Sequence, residues 1–343
     1  MSRMSRRDFV KTAAIGSAAV PAFVQGQGQT PAGPAGQAGQ PPAQGGGRRG
    51  GGGGGGGGPV RTSEKLNPLP IRIGMTDWNL GQRGDVNKVA LAREIGLDGI
   101  QVSVQYPTDP EAPTLRNRET QIAYKKAALE NGVQIVSLAI GSMGGTPPRG
   151  PLHSNPAAAI LLAEAIEIAH NIGTQNILNP VLRSLDPTNK AQVDVFVSMM
   201  KELGRYGEKM GVVMGLEITI SAEHANMLMD QIGSDYVNVY YDPHNVVGQP
   251  TVKDIYAEPK MYGAKRIGQV HVKLAGGMLL GDPMGRIDWP RMANELYDVG
   301  YTGWYVLETG APSMDLVADT RKNIEYVRKT FRMPQPKPVA VTG

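Results

Sequence analysis

Ile71-Arg72-Ile73-Gly74-Met75-Thr76-Asp77-Trp78 decides between the two folds that repeated strand–helix units can build. A doubly wound sheet usually announces itself with a glycine-rich phosphate turn after its first strand. Here the apolar run passes directly into Asp77 and Trp78 with no such turn. The reading therefore goes to a closed (β/α)₈ barrel. The rest of the chain repeats the unit. Apolar, β-rich runs recur at Gly99–Gln105, Gln134–Gly141, Gln175–Val181, Val212–Thr219, Val237–Tyr241, Gln269–Leu274 and Trp304–Glu308. Between them, apolar residues step at helical spacing, for example over Val86–Ile95, Arg118–Asn131, Pro156–Ile172, Gln192–Met210 and Pro290–Val299. Glycines stand where such helices should stop, at Gly96, Gly132, Gly173, Gly211, Gly233 and Gly300. The last helix, Met314 to Phe331, closes the count at eight.

The chain ahead of this body reads differently. Ser5-Arg6-Arg7-Asp8-Phe9-Val10-Lys11 precedes an Ala-rich, weakly apolar run from Thr12 to Val24. That pattern resembles a twin-arginine export signal, which implies a periplasmic or secreted protein that folds before it crosses the membrane. The run is about 13 residues, short of the ~20 that a membrane span needs, so no stable membrane insertion is expected once the signal is removed. Residues 25–66 are rich in Gly, Gln and Pro, with a glycine run ending at Gly58. Such a composition buries no core, and a disordered linker is expected. The domain reading is a signal at 1–24, the linker at 25–66, one barrel at 67–335 and a disordered tail at 336–343.

Charge follows the same division. Residues 1–61 hold seven basic groups and one acid, so the remaining 282 residues carry a net of −2 although the whole chain is +4. A body of that charge has no broad basic face for nucleic acid. With no Cys, disulfides, thiolate metal sites and a Cys nucleophile are excluded.

In a barrel, chemistry collects at the carboxyl ends of the strands. The fifth strand ends Gly215-Leu216-Glu217-Ile218-Thr219, and the sixth Tyr240-Tyr241-Asp242-Pro243-His244-Asn245. The seventh reads Gln269-Val270-His271-Val272-Lys273, and the eighth ends Val306-Leu307-Glu308-Thr309. Four consecutive strands thus place an ionisable group in or above an apolar barrel. Three carboxylates there would repel one another unless a cation lay between them. Two Glu, one Asp and one imidazole make a set suited to a single divalent ion, Mn, Co, Mg or Zn.

These strand ends resemble the xylose isomerase-like TIM barrel superfamily, and most closely its sugar phosphate isomerase/epimerase branch. The segments Gly285-Arg286-Ile287-Asp288-Trp289 and Gly300-Tyr301-Thr302-Gly303-Trp304 look like that family's G-x-I-D-W and G-Y-x-G motifs. The resemblance runs from about Ile71 to Phe331. It implies Glu217, Asp242, His271 and Glu308 as metal ligands, with Glu217 and Glu308 as the acid/base pair. It also implies contacts to a carbohydrate substrate from Glu223, six residues after Glu217, and from His244. Lys273 alternates to the same side of its strand as His271, and it joins Trp78 and Arg286 as a candidate for substrate contact. Three positions depart from the family's usual residues: Gln101 where many members carry Glu, Leu274 after the His-Val-Lys run, and Gly277 where the epimerase branch has Arg.

The chemistry implied is proton abstraction beside a carbonyl by one Glu and proton return by the other, through an enediolate. Epimerisation or isomerisation of a sugar or keto-sugar is the first expectation. Dehydration or lyase chemistry on an inosose, keto-sugar or glycoside is the alternative that the same ligands allow. A zinc phosphodiesterase of the endonuclease IV type needs further histidines from strands two to four, which carry none. A non-catalytic sugar-binding barrel would have lost a ligand. Export favours free sugars over sugar phosphates, so Ala275-Gly276-Gly277 reads as a flexible lid. A homo-oligomer is compatible with all of this.

Overall fold

The structure, a computed structural model, describes residues 70–105, 114–140, 156–182 and 184–334. The expected signal, linker and tail lie outside these residues. Eight strands form one closed parallel barrel in chain order. They are β1 (Ile73–Thr76), β2 (Gly99–Val104), β3 (Gln134–Ile140), β4 (Asn176–Leu182), β5 (Val213–Ile218), β6 (Val237–Tyr241), β7 (Ile267–Val272) and β8 (Tyr305–Leu307). The barrel closes through β1 and β8, where Gly74 pairs with Val306 and Met75 with Leu307.

Helices wrap this barrel: α1 (Lys88–Ile95), α2 (Arg118–Asn131), α3 (Pro156–Ile172), α4 (Lys190–Met210), α5 (Ala222–Ile232), α6 (Pro243–Val246), α7 (Glu258–Arg266), α8 (Trp289–Asp298) and α9 (Leu316–Thr330). All six expected stop glycines take positive φ. At Gly211 the backbone N–H donates to the carbonyls of Gly207 and Glu208, which satisfies the orphan end of α4. The starts are capped as well. Asn189, Ser221, Asp288 and Asp315 accept side-chain hydrogen bonds from the first turns of α4, α5, α8 and α9.

The two family-like segments hold the outer shell in place. Asp288 caps α8, and the Trp289 indole N–H donates to Lys273 O at 3.2 Å. The Tyr301 hydroxyl donates to Trp304 O at 2.7 Å just before β8. Both motifs therefore fix strands that carry candidate ligands.

Polar residues line the barrel interior. Gln101, Ser137, Asn179, Gln269 and His271 are all buried. Tyr240 fills the space beside Gly215, where a Cβ would sit 3.1 Å from Tyr240 Cβ, so a larger residue there would press on the Tyr240 side chain. The Gln269 amide donates across the barrel to Val136 O at 2.8 Å. Ala275–Gly277, after β7, forms a short 3₁₀ turn.

Candidate metal centre

β5, β6, β7 and β8 deliver Glu217, Asp242, His271 and Glu308 to one point above the barrel. One ligand atom from each lies within 4.8 Å of the others, and all but Glu308 are buried. His271 Nδ1 is 3.5 Å from Glu217 Oε1, 3.5 Å from Asp242 Oδ2 and 3.3 Å from Glu308 Oε2.

Each carboxylate is steadied by an N–H donor. The backbone N–H of Asn245 donates to Asp242 Oδ1 at 3.0 Å, so Asp242 caps α6 with one oxygen. The Asn245 side-chain amide donates to Glu217 Oε1 at 2.8 Å. The Trp78 indole N–H donates to Glu308 Oε1 at 3.1 Å. The Asp242-Pro243-His244-Asn245 turn thus orients two candidate ligands at once, a role for Asn245 that residue type alone did not disclose.

Lys273 stands over the same cluster. Its Nζ lies 2.6 Å from Glu308 Oε2 and 2.7 Å from Asp242 Oδ2. His271 Nδ1 is a buried atom without a hydrogen-bond partner, and it faces oxygens of all three acids. Such an orphan is costly unless something binds it. Three carboxylates and one lysine leave a net of −2 when the imidazole is neutral, which a single divalent cation would balance. The donor set therefore fits one such ion.

Gln101, one of the departures noted above, supports the histidine. Its Nε2 donates to Ser137 Oγ at 2.8 Å and to the Tyr240 hydroxyl at 2.9 Å. Its Oε1 therefore faces His271 Nε2, 3.1 Å away, and can only accept. That hydrogen bond puts a proton on Nε2 and leaves Nδ1 to serve as a ligand. The Tyr240 ring packs edge-on against the imidazole, with centroids 4.6 Å apart.

The electrostatics match this crowding. Burial raises the Glu217 carboxyl, opposed by His271 and reinforced by the other carboxylates. Burial also opposes charge on Asp242, yet His271 and Lys273 hold it well below the usual carboxylate range. Although burial disfavours the imidazolium, Glu308, Asp242 and Glu217 push His271 up to about 9. Lys273 is raised by the same acids despite its burial. Without a cation, Glu217 and His271 are therefore both pushed towards holding a proton.

The other candidates divide. His244 is half-buried on α6, and its Nε2 has no partner. Burial, aided by Lys273 and Arg286, keeps it below the usual imidazole range against Asp242 and Glu308. Arg286 is exposed and donates to Val247 O at 3.3 Å, at the end of α6. Glu223 is exposed on the first turn of α5, and no hydrogen bond or ion pair joins it to the four candidate ligands. Of the histidines outside the site, His170 sits at the end of α3 and contacts Met210 O, while His153 lies outside the described residues.

Residues 89–330 match the model of the xylose isomerase-like TIM barrel family. The chain belongs to that family. Solved structures of similar fold include 3-keto-D-glucoside 4-epimerase from E. coli, 16% identical with a TM-score of 0.60, the match covering 76% of this chain and 99% of that one. D-psicose 3-epimerase from Clostridium cellulolyticum H10 is 14% identical with a TM-score of 0.62, covering 76% and 100%. A sugar phosphate isomerase/epimerase from Parabacteroides distasonis is 17% identical with a TM-score of 0.60, covering 76% and 94%. No curated protein sequence matches the chain.

Proposed function

We propose that this protein is a divalent-metal-dependent isomerase or epimerase of a sugar or keto-sugar. The observation that carries the reading is the convergence of Glu217, Asp242, His271 and Glu308 within 4.8 Å, with the buried His271 Nδ1 left without a hydrogen-bond partner among them. The family and the sugar epimerases of like fold support it. A bound Mn, Co, Mg or Zn ion would polarise a substrate carbonyl and offset the negative charge of an enediolate.

The residues of the chain supply the rest. Glu217, on β5, and Glu308, on β8, flank the site as the acid/base pair. One carboxylate takes the proton beside the carbonyl and the other returns a proton to the opposite face or to the neighbouring carbon. His244 on α6, and Arg286, which donates to Val247 O at the end of α6, are the groups placed to contact sugar hydroxyls. Lys273 offsets one of the three carboxylates and keeps the site at the charge one divalent ion balances. Dehydration or lyase chemistry would begin with the same proton abstraction, and product analysis separates it from epimerisation. Export through the twin-arginine route to the periplasm belongs to this reading and favours free sugars over sugar phosphates.

Solvent exchange tests it. The Mn²⁺-loaded protein is incubated in D₂O with ketoses, keto-glycosides and inososes, and the carbon beside the carbonyl is examined for deuterium. Enzyme-dependent incorporation is expected for at least one substrate. No incorporation across the panel, with metal bound, would remove the enediolate mechanism.

A further inference from the structure

Trp78 leaves the end of β1 beside β8, which brings residues 230 apart in sequence into contact. A tryptophan at a sugar site usually offers a ring face to the substrate. Here the ring is already engaged. It packs against the core cluster that contains Tyr240, Trp304 and Val306. The Arg83 guanidinium lies over it, 4.6 Å from the ring centroid. Its single N–H is spent on Glu308 Oε1.

The loop that carries Arg83 is itself tied down. Asp77, fully buried, accepts at Oδ2 from the backbone N–H groups of Gly84 and Ser103, both at 2.8 Å. Its Oδ1 accepts from Ser103 Oγ at 2.6 Å, and that same hydroxyl accepts from Arg83 at 3.3 Å. Gln105 Nε2 donates to Arg83 O at 2.9 Å. The buried carboxylate next to Trp78 thus knots the β1–α1 loop to the end of β2.

We propose that Trp78 is a positioning residue for the cation: it holds Glu308 by Oε1 so that Oε2 is the oxygen presented to the ion, while Arg83 and Asp77 hold Trp78. A terminal carboxylate torsion is broad and turns freely unless one oxygen is fixed. Glu308 is also the least buried of the four candidate ligands, and Trp78 fixes the one oxygen that Lys273 does not. Its Oε2 is the atom nearest His271 Nδ1 and Lys273. The inference rests on the metal reading of this site.

Trp78→Phe is the test, because it keeps a ring beneath Arg83 and deletes the N–H. The Mn²⁺ dissociation constant, measured by equilibrium dialysis, should rise ~10–100-fold, the range seen when a group orienting a ligand is removed. The metal-free thermal midpoint should stay near that of the wild type, since a purely structural role would move the midpoint instead. Arg83→Met, which leaves the N–H in place, should weaken Mn²⁺ binding by no more than a few-fold. Wild-type Mn²⁺ affinity in folded Trp78→Phe overturns the assignment. Should that variant fail to fold, the indole N–H resonances of the three tryptophans are followed in ¹⁵N-labelled wild type as Zn²⁺ is added. One resonance is expected to shift, and no shift in any while Zn²⁺ binds overturns the proposal. A wild-type protein that binds no divalent ion would instead refute the metal reading itself.

Discussion

Replacing Gln101 by Met separates what holds the barrel together from what prepares the metal centre. Met fills nearly the same volume and removes three hydrogen bonds, to Ser137, Tyr240 and His271. The first two partners lie against the same Gln101 amide and can satisfy each other. His271 Nε2 cannot, and a buried donor without a partner costs ~1–3 kcal/mol. Adding about 1 kcal/mol for the net loss of the other bonds gives a destabilisation of ~2–4 kcal/mol. The second effect is on the metal. With Nε2 unanchored, the imidazole loses both its tautomer and its orientation, which typically weakens metal affinity ~10–100-fold. At a fixed excess of Mn²⁺, the stabilisation that the ion confers should then shrink by ~1.4–2.7 kcal/mol. Urea unfolding with EDTA measures the first effect, and the same titration with Mn²⁺ measures the second. A loss below ~0.5 kcal/mol in EDTA, together with an unchanged Mn²⁺ increment, would refute both steps of the reasoning.

Other outcomes follow from the same geometry. Glu258 is buried at the start of α7 and accepts from Ala222 N at 2.9 Å, and burial pushes its carboxyl from 4.5 up to about 7. The fold holds that proton more tightly than the unfolded chain does, so stability falls as pH rises from 4.5 to about 7; Glu258→Gln should flatten the curve by ~3 kcal/mol over that window, and parallel curves for the two proteins would contradict it. Glu217→Gln and Glu308→Gln, assayed at saturating metal, should each lose ~10²–10⁴ in turnover, and a residual rate above about a tenth of wild type excludes that residue as acid or base. A reporter fused after residues 1–60 should be exported only where the twin-arginine pathway works. Lys at Arg6 and Arg7 should block it, whereas unchanged export would redirect the localisation.

Much of the fold was legible because its punctuation is local. The limits of α2 and α3 coincide with the apolar periodicity that precedes Gly132 and Gly173. The sixth unit was harder to read. α6 is four residues long, too short for any period, and α7 is interrupted at Gly263, whose φ of 67° and ψ of 161° are not helical. β7 begins at Ile267, two residues before the apolar run suggested, because α7 passes into it without a turn.

The site divides in a similar way. Its ionisable residues were readable, since strand ends, alternation and charge cost are properties of the chain. Their supports were not. Gln101 stood only as a departure, because its partner His271 is 170 residues away. Asn245 and Asp77 act through backbone and side-chain geometry that residue type does not specify. Glu223 fits the spacing of a substrate contact, yet it is exposed on the first turn of α5, where the helix dipole favours an acid without any ligand.

The central claim is that four side chains from consecutive strands hold one divalent ion, and elemental analysis of the purified chain tests it most directly. After dialysis against Mn²⁺, Co²⁺, Mg²⁺ or Zn²⁺ in turn, the folded wild type should retain about one ion per chain of at least one of them, as four convergent ligands from one barrel require. His271→Ala should retain none. A folded wild type that retains no divalent ion, or a His271→Ala protein that retains as much as wild type, would contradict the account.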